Sequence, residues 1–354
     1  MRAWEKNIRK VVPYVAGEQP KQKDIIKLNT NENPYPPAPE VRKLLDEMDM
    51  KEFRKYPDYD VTGITNALAG YYHLLPEQIF VGVGSDDVLS VAFLTFFNGE
   101  RPILFPDVTY SFYDVWADLY RIPYERPALD ADYRIRKEDY YKENGGIVIA
   151  NPNAPTSIGE PLSFIEDILE HNQESVVIVD EAYVDFGGES AIPLIEKYEN
   201  LLVVQTFSKS RAMAGMRVGY AMGNPVLINA MKDVKFSINS YTMNMPSLIL
   251  GVEAVKDVAY FKEITKKIID TRTWAGEELK KLGFSFPESS ANFLFITHEQ
   301  IPAKELFLAL REHGIFVRYF DKPRLENRIR LTIGTDEEMK ALLDFLKGYV
   351  KERR

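Results

Sequence analysis

The stretch VVQTFSKSRAMAGMRVGY, residues 203–220, places a lysine at the point where an apolar run ends. Lys209 stands between two serines, and Arg217 follows eight residues later inside a second apolar run. A lysine beside a buried strand is unfavourable unless it is paired or has a chemical role. The position of Lys209 at the edge of such a strand therefore needs an explanation from the rest of the chain.

Short apolar runs also recur before this stretch, and amphipathic segments separate them. The runs are IFVGVG (79–84), PILFP (102–106), GIVIA (146–150), VVIVD (176–180) and LLVVQ (201–205). Segments with a helical pattern follow the first four runs, at 86–97, 109–120, 160–172 and 191–200. This alternation is typical of buried parallel strands in βα units. We predict an α/β fold with a mostly parallel central sheet flanked by helices.

The composition changes twice along the chain and divides it into three predicted parts. Residues 1–40 end in a segment rich in proline and asparagine, which predicts an extended N-terminal arm. The alternating pattern predicts a large domain over 41–250. Charged amphipathic helices and later apolar runs predict a smaller α+β domain over 251–354, with which the arm packs.

Composition also narrows the functional classes. The 354 residues carry a formal net charge of −9, which argues against nucleic acid as a main partner. There is no cysteine, and the four histidines are far apart, so we expect no metal site. No apolar run is long enough to span a bilayer, and the first residues lack the apolar core of a signal peptide. We expect a cytoplasmic protein that acts on small molecules.

Polar side chains stand at the carboxyl ends of the predicted strands, where open α/β sheets bind their ligands. They are Ser85, Asp86, Asn153, Asp180, Tyr183, Ser208 and Lys209. Taken singly, each has a plainer interpretation, such as a helix cap for Ser85 or a solvated surface position for Lys209. Their occurrence at four strand ends instead predicts one shared crevice.

The chain lacks the motifs of several other chemistries. GVGSDD (82–87) has only two glycines of the dinucleotide-binding fingerprint, and no P-loop, zinc-protease or nucleophile-elbow motif occurs. What remains is a lysine with an aspartate, a tyrosine, an arginine and a helix start suited to phosphate. That set fits a pyridoxal 5′-phosphate enzyme, in which lysine forms a Schiff base and aspartate pairs with the pyridinium nitrogen.

Several longer motifs carry a family resemblance. They are LNTNENPYPP (28–37), PDVTYSFY (106–113), NPNAPTS (151–157), VIVDEAYVDF (177–186), TFSKSRAMAGMRVGY (206–220) and RIRLTIG (328–334). With them the chain resembles the histidinol-phosphate aminotransferases, a family of fold-type-I pyridoxal phosphate-dependent enzymes. The resemblance runs nearly end to end, and its DEAY and TFSK motifs are highly specific for the superfamily.

The resemblance implies how the chain binds the ring of its cofactor. Lys209 forms the Schiff base with pyridoxal 5′-phosphate and later carries the proton. Asp180 bonds the ring nitrogen and keeps it protonated. Tyr183 donates to the phenolic oxygen, and Tyr110 stacks on the ring.

It also implies a phosphate site, a shared interface and a substrate pocket. The cofactor phosphate is expected to bind the backbone of Ser85 and Asp86, together with Ser208 and Arg217. Tyr56 is expected to reach the phosphate of the neighbouring subunit, which implies a homodimer with shared active sites and an arm that also packs on the partner. The substrate is expected to meet Arg330, Arg318 and Tyr14.

One motif departs from the family pattern. The family usually has NPNNPTG where this chain has NPNAPTS, so Ala154 replaces an asparagine that touches the phenolic oxygen. Two outcomes stay open: either Asn153 substitutes for it after a small loop shift, or the contact is missing. Ser157 in place of glycine suggests that this turn does not strictly demand a positive φ.

The resemblance implies a reversible transamination in histidine biosynthesis. L-Glutamate and 2-oxoglutarate would form one substrate pair, and L-histidinol phosphate and imidazole-acetol phosphate the other. An aromatic amino acid aminotransferase and a threonine-phosphate decarboxylase remain alternatives within the superfamily. A non-catalytic relative that binds the cofactor is a third, which the intact Lys209, Asp180 and Tyr183 disfavour.

Overall fold

The structure is a computed structural model that describes residues 2–22 and 24–353. Its strands, in chain order, are β1 (Ile26–Leu28), β2 (Ile79–Gly82), β3 (Ile103–Leu104), β4 (Tyr124–Glu125), β5 (Gly146–Ala150), β6 (Val177–Asp180), β7 (Leu201–Thr206), β8 (Gly219–Gly223), β9 (Phe284–Ser285), β10 (Phe293–His298), β11 (Ile315–Tyr319) and β12 (Ile329–Thr332). Its α-helices are α1 (Pro39–Asp46), α2 (Thr62–Tyr72), α3 (Gly84–Phe96), α4 (Phe112–Tyr120), α5 (Leu162–His171), α6 (Pro225–Ile238), α7 (Met245–Lys256), α8 (Val258–Lys281), α9 (Ala303–Glu312) and α10 (Asp336–Lys351).

Seven strands form a large sheet in the order β2-β8-β7-β6-β5-β3-β4. All neighbours from β7 to β4 are parallel, whereas β8 runs antiparallel to both β7 and β2. The connection from β7 to β8 contains only a 3-10 turn, Ala214–Met216, and no crossover helix. The chain therefore turns back on itself, because a parallel pair would need a longer crossover. The predicted α/β class with a mostly parallel sheet is confirmed.

Most of the predicted elements match their observed bounds within a few residues, and one does not. The prediction of a helix over 191–200 is wrong, because this segment contains only a 3-10 turn at Ile192–Leu194. The carboxylate of Glu181 accepts the Ala191 N–H at 2.6 Å and the Ser190 hydroxyl at 2.7 Å. These two bonds hold the start of the segment in a turn.

A second sheet joins the arm to the C-terminal part of the chain. Its order is β1-β11-β12-β10-β9, with β1 parallel to β11 and the other pairs antiparallel. Leu28 of β1 is fully buried in a cluster with residues of β10, β11, β12 and α10. Arm residues 26–28 are thus an integral strand of the small sheet.

Helices α7 and α8 belong to different hydrophobic cores. Leu250, Ala254 and Val255 of α7 belong to the core beneath the large sheet. Ile268 and Leu279 of α8 belong to the core of the small sheet. The core boundary lies a few residues beyond the predicted domain limit at 250, and the limits themselves stay a prediction.

None of the helices in the described part of the chain combines the length and apolar character needed to cross a membrane.

Candidate active site

The site lies at the carboxyl ends of three parallel neighbours, β5, β6 and β7. Asp180 is the last residue of β6, and it pairs in register with Val204 of β7. Lys209 follows three residues after the end of β7, and Asn153 follows three residues after the end of β5. Because parallel strands end at the same edge of a sheet, these loops begin side by side.

The amine of Lys209 points towards the arm. Its Nζ donates to the carbonyl oxygen of Thr30 at 3.2 Å and lies 5.7 Å from the centre of the Tyr183 ring. Burial opposes ionisation of the nearby Glu32. Hydrogen bonds from Lys27 and Thr30, together with the charge of Lys209, nevertheless hold the pKa of Glu32 below its usual value. The arm thus gives the lysine amine one acceptor, the Thr30 carbonyl, and a nearby carboxylate, Glu32.

Asp180 is a buried carboxylate, with only 5% of its surface exposed. Its Oδ2 accepts the hydroxyl of Tyr113 at 2.7 Å, and its Oδ1 accepts the N–H of Ala182 at 3.2 Å. Burial raises the pKa of Asp180 to about 6, against the opposing effects of these two bonds and of Lys209. A bound N–H⁺ group at this carboxylate would restore its ionisation, because an opposite charge favours the charged form.

Tyr183 stands beside an apolar wall. Its ring meets Phe293 edge to face, with centroids 5.0 Å apart, and its hydroxyl accepts the side-chain N–H of Asn31 at 2.9 Å. Ala154, in the place of the family asparagine, is buried in a cluster with Ala291 and Phe293, against which Tyr183 packs. The wall therefore offers no polar group from position 154.

Asn153 is held within its own loop. Its Nδ2 donates to the Val108 carbonyl at 3.0 Å and to the Thr156 hydroxyl at 3.1 Å, and its Oδ1 accepts from Thr109 at 2.8 Å. Both amide hydrogens are thus used inside the protein. The substitution of Asn153 for the missing asparagine stays a prediction, and these contacts would have to break for it to occur.

The expectation for Ser157 is wrong. Ser157 adopts φ 67°, in the left-handed region, although it is not glycine. Its N–H donates to the Asn153 carbonyl at 2.8 Å, and its own carbonyl accepts the N–H of Ser290 at 2.9 Å. These two bonds close the turn, in which the serine takes the left-handed conformation that a glycine adopts without strain.

An anion cradle forms where β2 leads into α3. Gly84 has φ 81°, and a Cβ there would come within 2.4 Å of Arg217 Nη2. The guanidinium of Arg217 contacts Asp86 Oδ2 at 3.4 Å and Ser208 Oγ at 3.3 Å. Tyr110 donates to Asp86 Oδ1 at 2.8 Å. A helix N-terminus beside a guanidinium and a hydroxyl suits a phosphate group, and the structure brings Ser85, Asp86, Tyr110, Ser208 and Arg217 together there.

Two arginines face each other on the small sheet. Arg318 of β11 is the direct cross-strand neighbour of Arg330 of β12, an arrangement that is unfavourable for like charges. Arg330 Nη2 donates to the Asn29 carbonyl at 3.0 Å, but its buried Nε has no hydrogen-bond partner among the described residues. Burial lowers the pKa of Arg330. An anionic ligand would relieve both the repulsion and the unpaired donor.

Tyr14 brings the arm over the same space. Its ring stacks on Phe112 with centroids 4.2 Å apart and lies 6.2 Å from the Tyr110 ring. Burial raises the pKa of Tyr14, while the charges of Arg318 and Arg330 oppose the rise. Tyr14 therefore lies between the predicted cofactor residue Tyr110 and the arginine pair.

Tyr56 lies on the surface, and no contact joins it to another predicted site residue in the described part of the chain. Its side chain is 80% exposed, and its ring packs against Tyr241 with centroids 4.7 Å apart. The structure thus places Tyr56 on the surface, away from the site of its own chain. Its side chain could contribute only to a site on another molecule.

Sequence reasoning missed three residues of the site, Tyr113, Asn31 and Thr30. Tyr113 is the second residue of α4, whereas Tyr110 precedes the helix, and the two rings meet edge to face with centroids 5.7 Å apart. Both tyrosines stand in the PDVTYSFY motif, where Tyr113 could have been found. The roles of Asn31 and Thr30 depend on long-range contacts of the arm, which no local pattern reveals.

Comparison with known proteins agrees with this geometry. Residues 23–346 match the family model described as aminotransferase class I and II. The chain belongs to this family. The chain is 49% identical to the histidinol-phosphate aminotransferase of Lactococcus lactis subsp. lactis (strain IL1403), over 99% of this chain and 97% of that protein. It is 48% identical to the histidinol-phosphate aminotransferase of Clostridium botulinum (strain Kyoto / Type A2), over 99% of each.

Solved structures show the same fold at lower identity. A putative histidinol-phosphate aminotransferase from Erwinia carotovora atroseptica SCRI1043 has a TM-score of 0.86 at 24% identity, covering 95% of this chain and 99% of that one. The histidinol-phosphate aminotransferase from Sinorhizobium meliloti in complex with pyridoxal-5′-phosphate has a TM-score of 0.84 at 23% identity, covering 92% and 91%. The predicted fold-type-I aminotransferase and the predicted family resemblance are confirmed.

Asp180 generates a pH prediction for the cofactor-free protein. Its folded-state pKa of about 6 lies above that of an unfolded aspartate, so ionisation of Asp180 costs stability as the pH rises through this window. Asp180→Asn removes that cost. The free energy of unfolding of the variant, relative to wild type, should therefore rise by roughly 3 kcal/mol between about pH 4 and about pH 7.

Urea unfolding of both proteins at several pH values measures this difference. The exposed Asp344→Asn is the matched control, and its difference from wild type should stay within about 0.5 kcal/mol at every pH. A difference for Asp180→Asn that is independent of pH would contradict the raised pKa.

Proposed function

We propose that the chain is a pyridoxal 5′-phosphate-dependent aminotransferase that exchanges an amino group between L-glutamate or 2-oxoglutarate and L-histidinol phosphate or imidazole-acetol phosphate, in histidine biosynthesis. The observation that carries the proposal is the placement of an amine, Lys209, and a buried carboxylate, Asp180, at the ends of neighbouring parallel strands beside an anion cradle. The two relatives named above, at 48% and 49% identity, support the substrate.

The residues present fit the cofactor. Asp180 is a buried carboxylate that forms no salt bridge with any described residue, so it is available to pair with a pyridinium nitrogen. The start of α3, Ser208 and Arg217 would hold the phosphate, and Tyr110 would cover the ring. When bound, the cofactor supplies an electron sink that makes the substrate Cα–H acidic.

Each of the protein's own groups then has a separate task. Lys209 would hold the cofactor through its amine and would move the proton at the substrate Cα. The Thr30 carbonyl, which now accepts Lys209 Nζ at 3.2 Å, gives the free amine a partner. Asp180 keeps the ring nitrogen charged, and the Tyr183 hydroxyl donates to the phenolic oxygen.

Arg330 and Arg318 form the substrate end of the proposed site. L-Histidinol phosphate carries a phosphate dianion and L-glutamate carries carboxylates, and a guanidinium can bind either group through two parallel hydrogen bonds. The partnerless Nε of Arg330 supports this assignment. Tyr14 would close the pocket from the arm and exclude water.

We further propose a cytoplasmic homodimer with shared active sites. Tyr56 lies in an exposed aromatic patch with Tyr59, Tyr241 and Phe236, whose ring centroids lie 4.7–6.1 Å apart between neighbours. Exposed aromatic patches are typical of protein interfaces. In the dimer, Tyr56 would contribute its hydroxyl to the phosphate site of the partner.

A direct comparison of substrates tests the proposed function. We expect the highest kcat/KM for L-histidinol phosphate with 2-oxoglutarate, when it is compared with L-phenylalanine and threonine phosphate under the same conditions. Lys209→Ala is the inactive control. Preference for phenylalanine would identify an aromatic aminotransferase instead, and release of carbon dioxide from threonine phosphate would identify a decarboxylase.

Arg330→Gln tests the substrate end of the site. Loss of a charge-assisted bond of roughly 1.5–3 kcal/mol should lower kcat/KM by about 10- to 150-fold for both L-histidinol phosphate and L-glutamate. The spectrum of the bound cofactor should not change. Arg328→Gln is the matched control, because its guanidinium lies over Tyr133 instead, and its effect should be within about twofold. Equal effects of the two variants would contradict the role of Arg330.

Subunit mixing tests the role of Tyr56. Tyr56→Phe should weaken cofactor retention, and Lys209→Ala should abolish turnover. In a mixed dimer, one site has both an intact Lys209 and the partner's intact Tyr56. At limiting cofactor, equal mixing should restore up to about one quarter of wild-type activity, because half of the dimers are mixed and each has one complete site. No recovery after proven subunit exchange would mean that Tyr56 does not serve the partner's site.

A further inference from the structure

Asn31 is a buried arm residue at the meeting point of the two sheets. Only 1% of its surface is exposed, and its φ of 55° lies in the left-handed region, which asparagine tolerates better than most residues. Its carbonyl accepts the side-chain N–H of Asn292 at 3.0 Å. The surrounding bonds therefore fix both the backbone and the side chain of Asn31.

The hydrogen bonds around Asn31 have a definite direction. Its backbone N–H can only donate, and it donates to Thr332 Oγ1 at 3.0 Å. The Thr332 hydroxyl in turn donates to Asn31 Oδ1 at 3.1 Å. The amide nitrogen of Asn31 is then the end that faces Tyr183, and it donates to the tyrosine oxygen at 2.9 Å.

This direction decides what the Tyr183 hydroxyl can do. Because its oxygen already accepts from Asn31, its own hydrogen points away from the arm. Ala154, Ala291 and Phe293 form an apolar wall beside it and offer no side-chain acceptor. The hydrogen is therefore available to a ligand on the Lys209 side, where Nζ lies 5.7 Å from the centre of the Tyr183 ring.

We infer that Asn31 is a positioning residue, which directs the O–H of Tyr183 towards the phenolic oxygen of bound pyridoxal 5′-phosphate; this inference rests on the proposed function. The direction of the Tyr183 O–H matters more in this chain, because Ala154 supplies no second donor to the phenolic oxygen. Asn31 does not touch the cofactor and acts through Tyr183. Thr332 extends the chain of bonds to β12, two residues beyond Arg330.

Asn31→Asp is the sharpest test. The substitution keeps the shape and a residue that tolerates positive φ, but it replaces the donating amide end with an acceptor. Tyr183 should then donate to the new carboxylate and no longer to the phenolic oxygen. In a pH titration of the visible absorbance of the reconstituted protein, the midpoint should rise by about one pH unit.

The same substitution is also made in a Tyr183→Phe protein. There, Asn31→Asp should move the midpoint by less than about 0.3 pH unit, because the hydroxyl through which Asn31 acts is gone. Asn172→Asp is the matched control, as Asn172 is another buried asparagine, away from the site, whose amide donates to the Ile168 carbonyl at 2.8 Å. It should leave the midpoint unchanged. Thr332→Val removes the hydroxyl that orients the Asn31 amide. It should raise the midpoint by a smaller amount, and only when the Tyr183 hydroxyl is present.

The outcomes separate this inference from the proposed function. Wild-type protein that fails to develop an absorbance band with pyridoxal 5′-phosphate would overturn the function itself. A normal wild-type titration with no shift in Asn31→Asp would overturn only the role of Asn31. An equal shift with and without the Tyr183 hydroxyl would show that the added charge acts through space, and would also overturn it. If Asn31→Asp does not fold, Thr332→Val is compared with and without Tyr183→Phe, and the same outcomes support or overturn the role of Asn31.

Discussion

The parallel pairing of β5, β6 and β7 is the constraint on which the site depends. These strands are buried on both faces, so charged groups can occur only where the strands end. Parallel direction brings those ends to one edge of the sheet, and the register sets Asp180 beside β7, from which the Lys209 loop emerges. The antiparallel β8 then returns the chain, which allows Arg217 to reach back to Ser208 and Asp86. Amine, carboxylate and anion cradle are thus consequences of one pairing pattern.

The site contains charges that the protein does not satisfy by itself. Asp180 is a buried carboxylate with a raised pKa. Arg330 is a guanidinium with a lowered pKa, and its Nε has no hydrogen-bond partner in the part of the chain that the structure describes. Burial of such groups is costly unless a partner of opposite charge is supplied. A ligand with a cationic ring nitrogen at one end and an anionic substrate group at the other would offset both costs. Asp180 and Arg330 therefore lower the stability of the ligand-free protein, and the same two residues would increase its affinity for such a ligand.

Much of the large sheet could be predicted from the sequence, because buried parallel strands are nearly continuous apolar runs. GIVIA gave the bounds of β5 correctly. The polar residues at the strand ends predicted Lys209, Asp180 and Tyr183 as site residues, and their roles stay a prediction. The segment 191–200 misled the prediction, since bonds from Ser190 and Ala191 to Glu181 override its helical pattern. Ser157 misled it in the opposite way, since a non-glycine residue occupies a left-handed turn. Tyr113 and Asn31 depend on contacts across 67 and 152 positions of sequence, and no local pattern encodes such contacts.

The arm links the two sheets through consecutive residues. The carbonyl of Asn29 accepts Arg330, the carbonyl of Thr30 accepts Lys209, and the side chain of Asn31 donates to Tyr183. Asn33 adds a bond to the backbone carbonyl of Lys209 at 2.9 Å. Because β1 immediately precedes these residues and is paired with β11, their position is fixed by the small sheet. A movement of the small sheet that accompanies anion binding at Arg330 would therefore also displace the groups that hold Lys209 and Tyr183. In this arrangement, the proposed substrate residue Arg330 on one sheet and the proposed cofactor residues Lys209 and Tyr183 beside the other share one stretch of backbone.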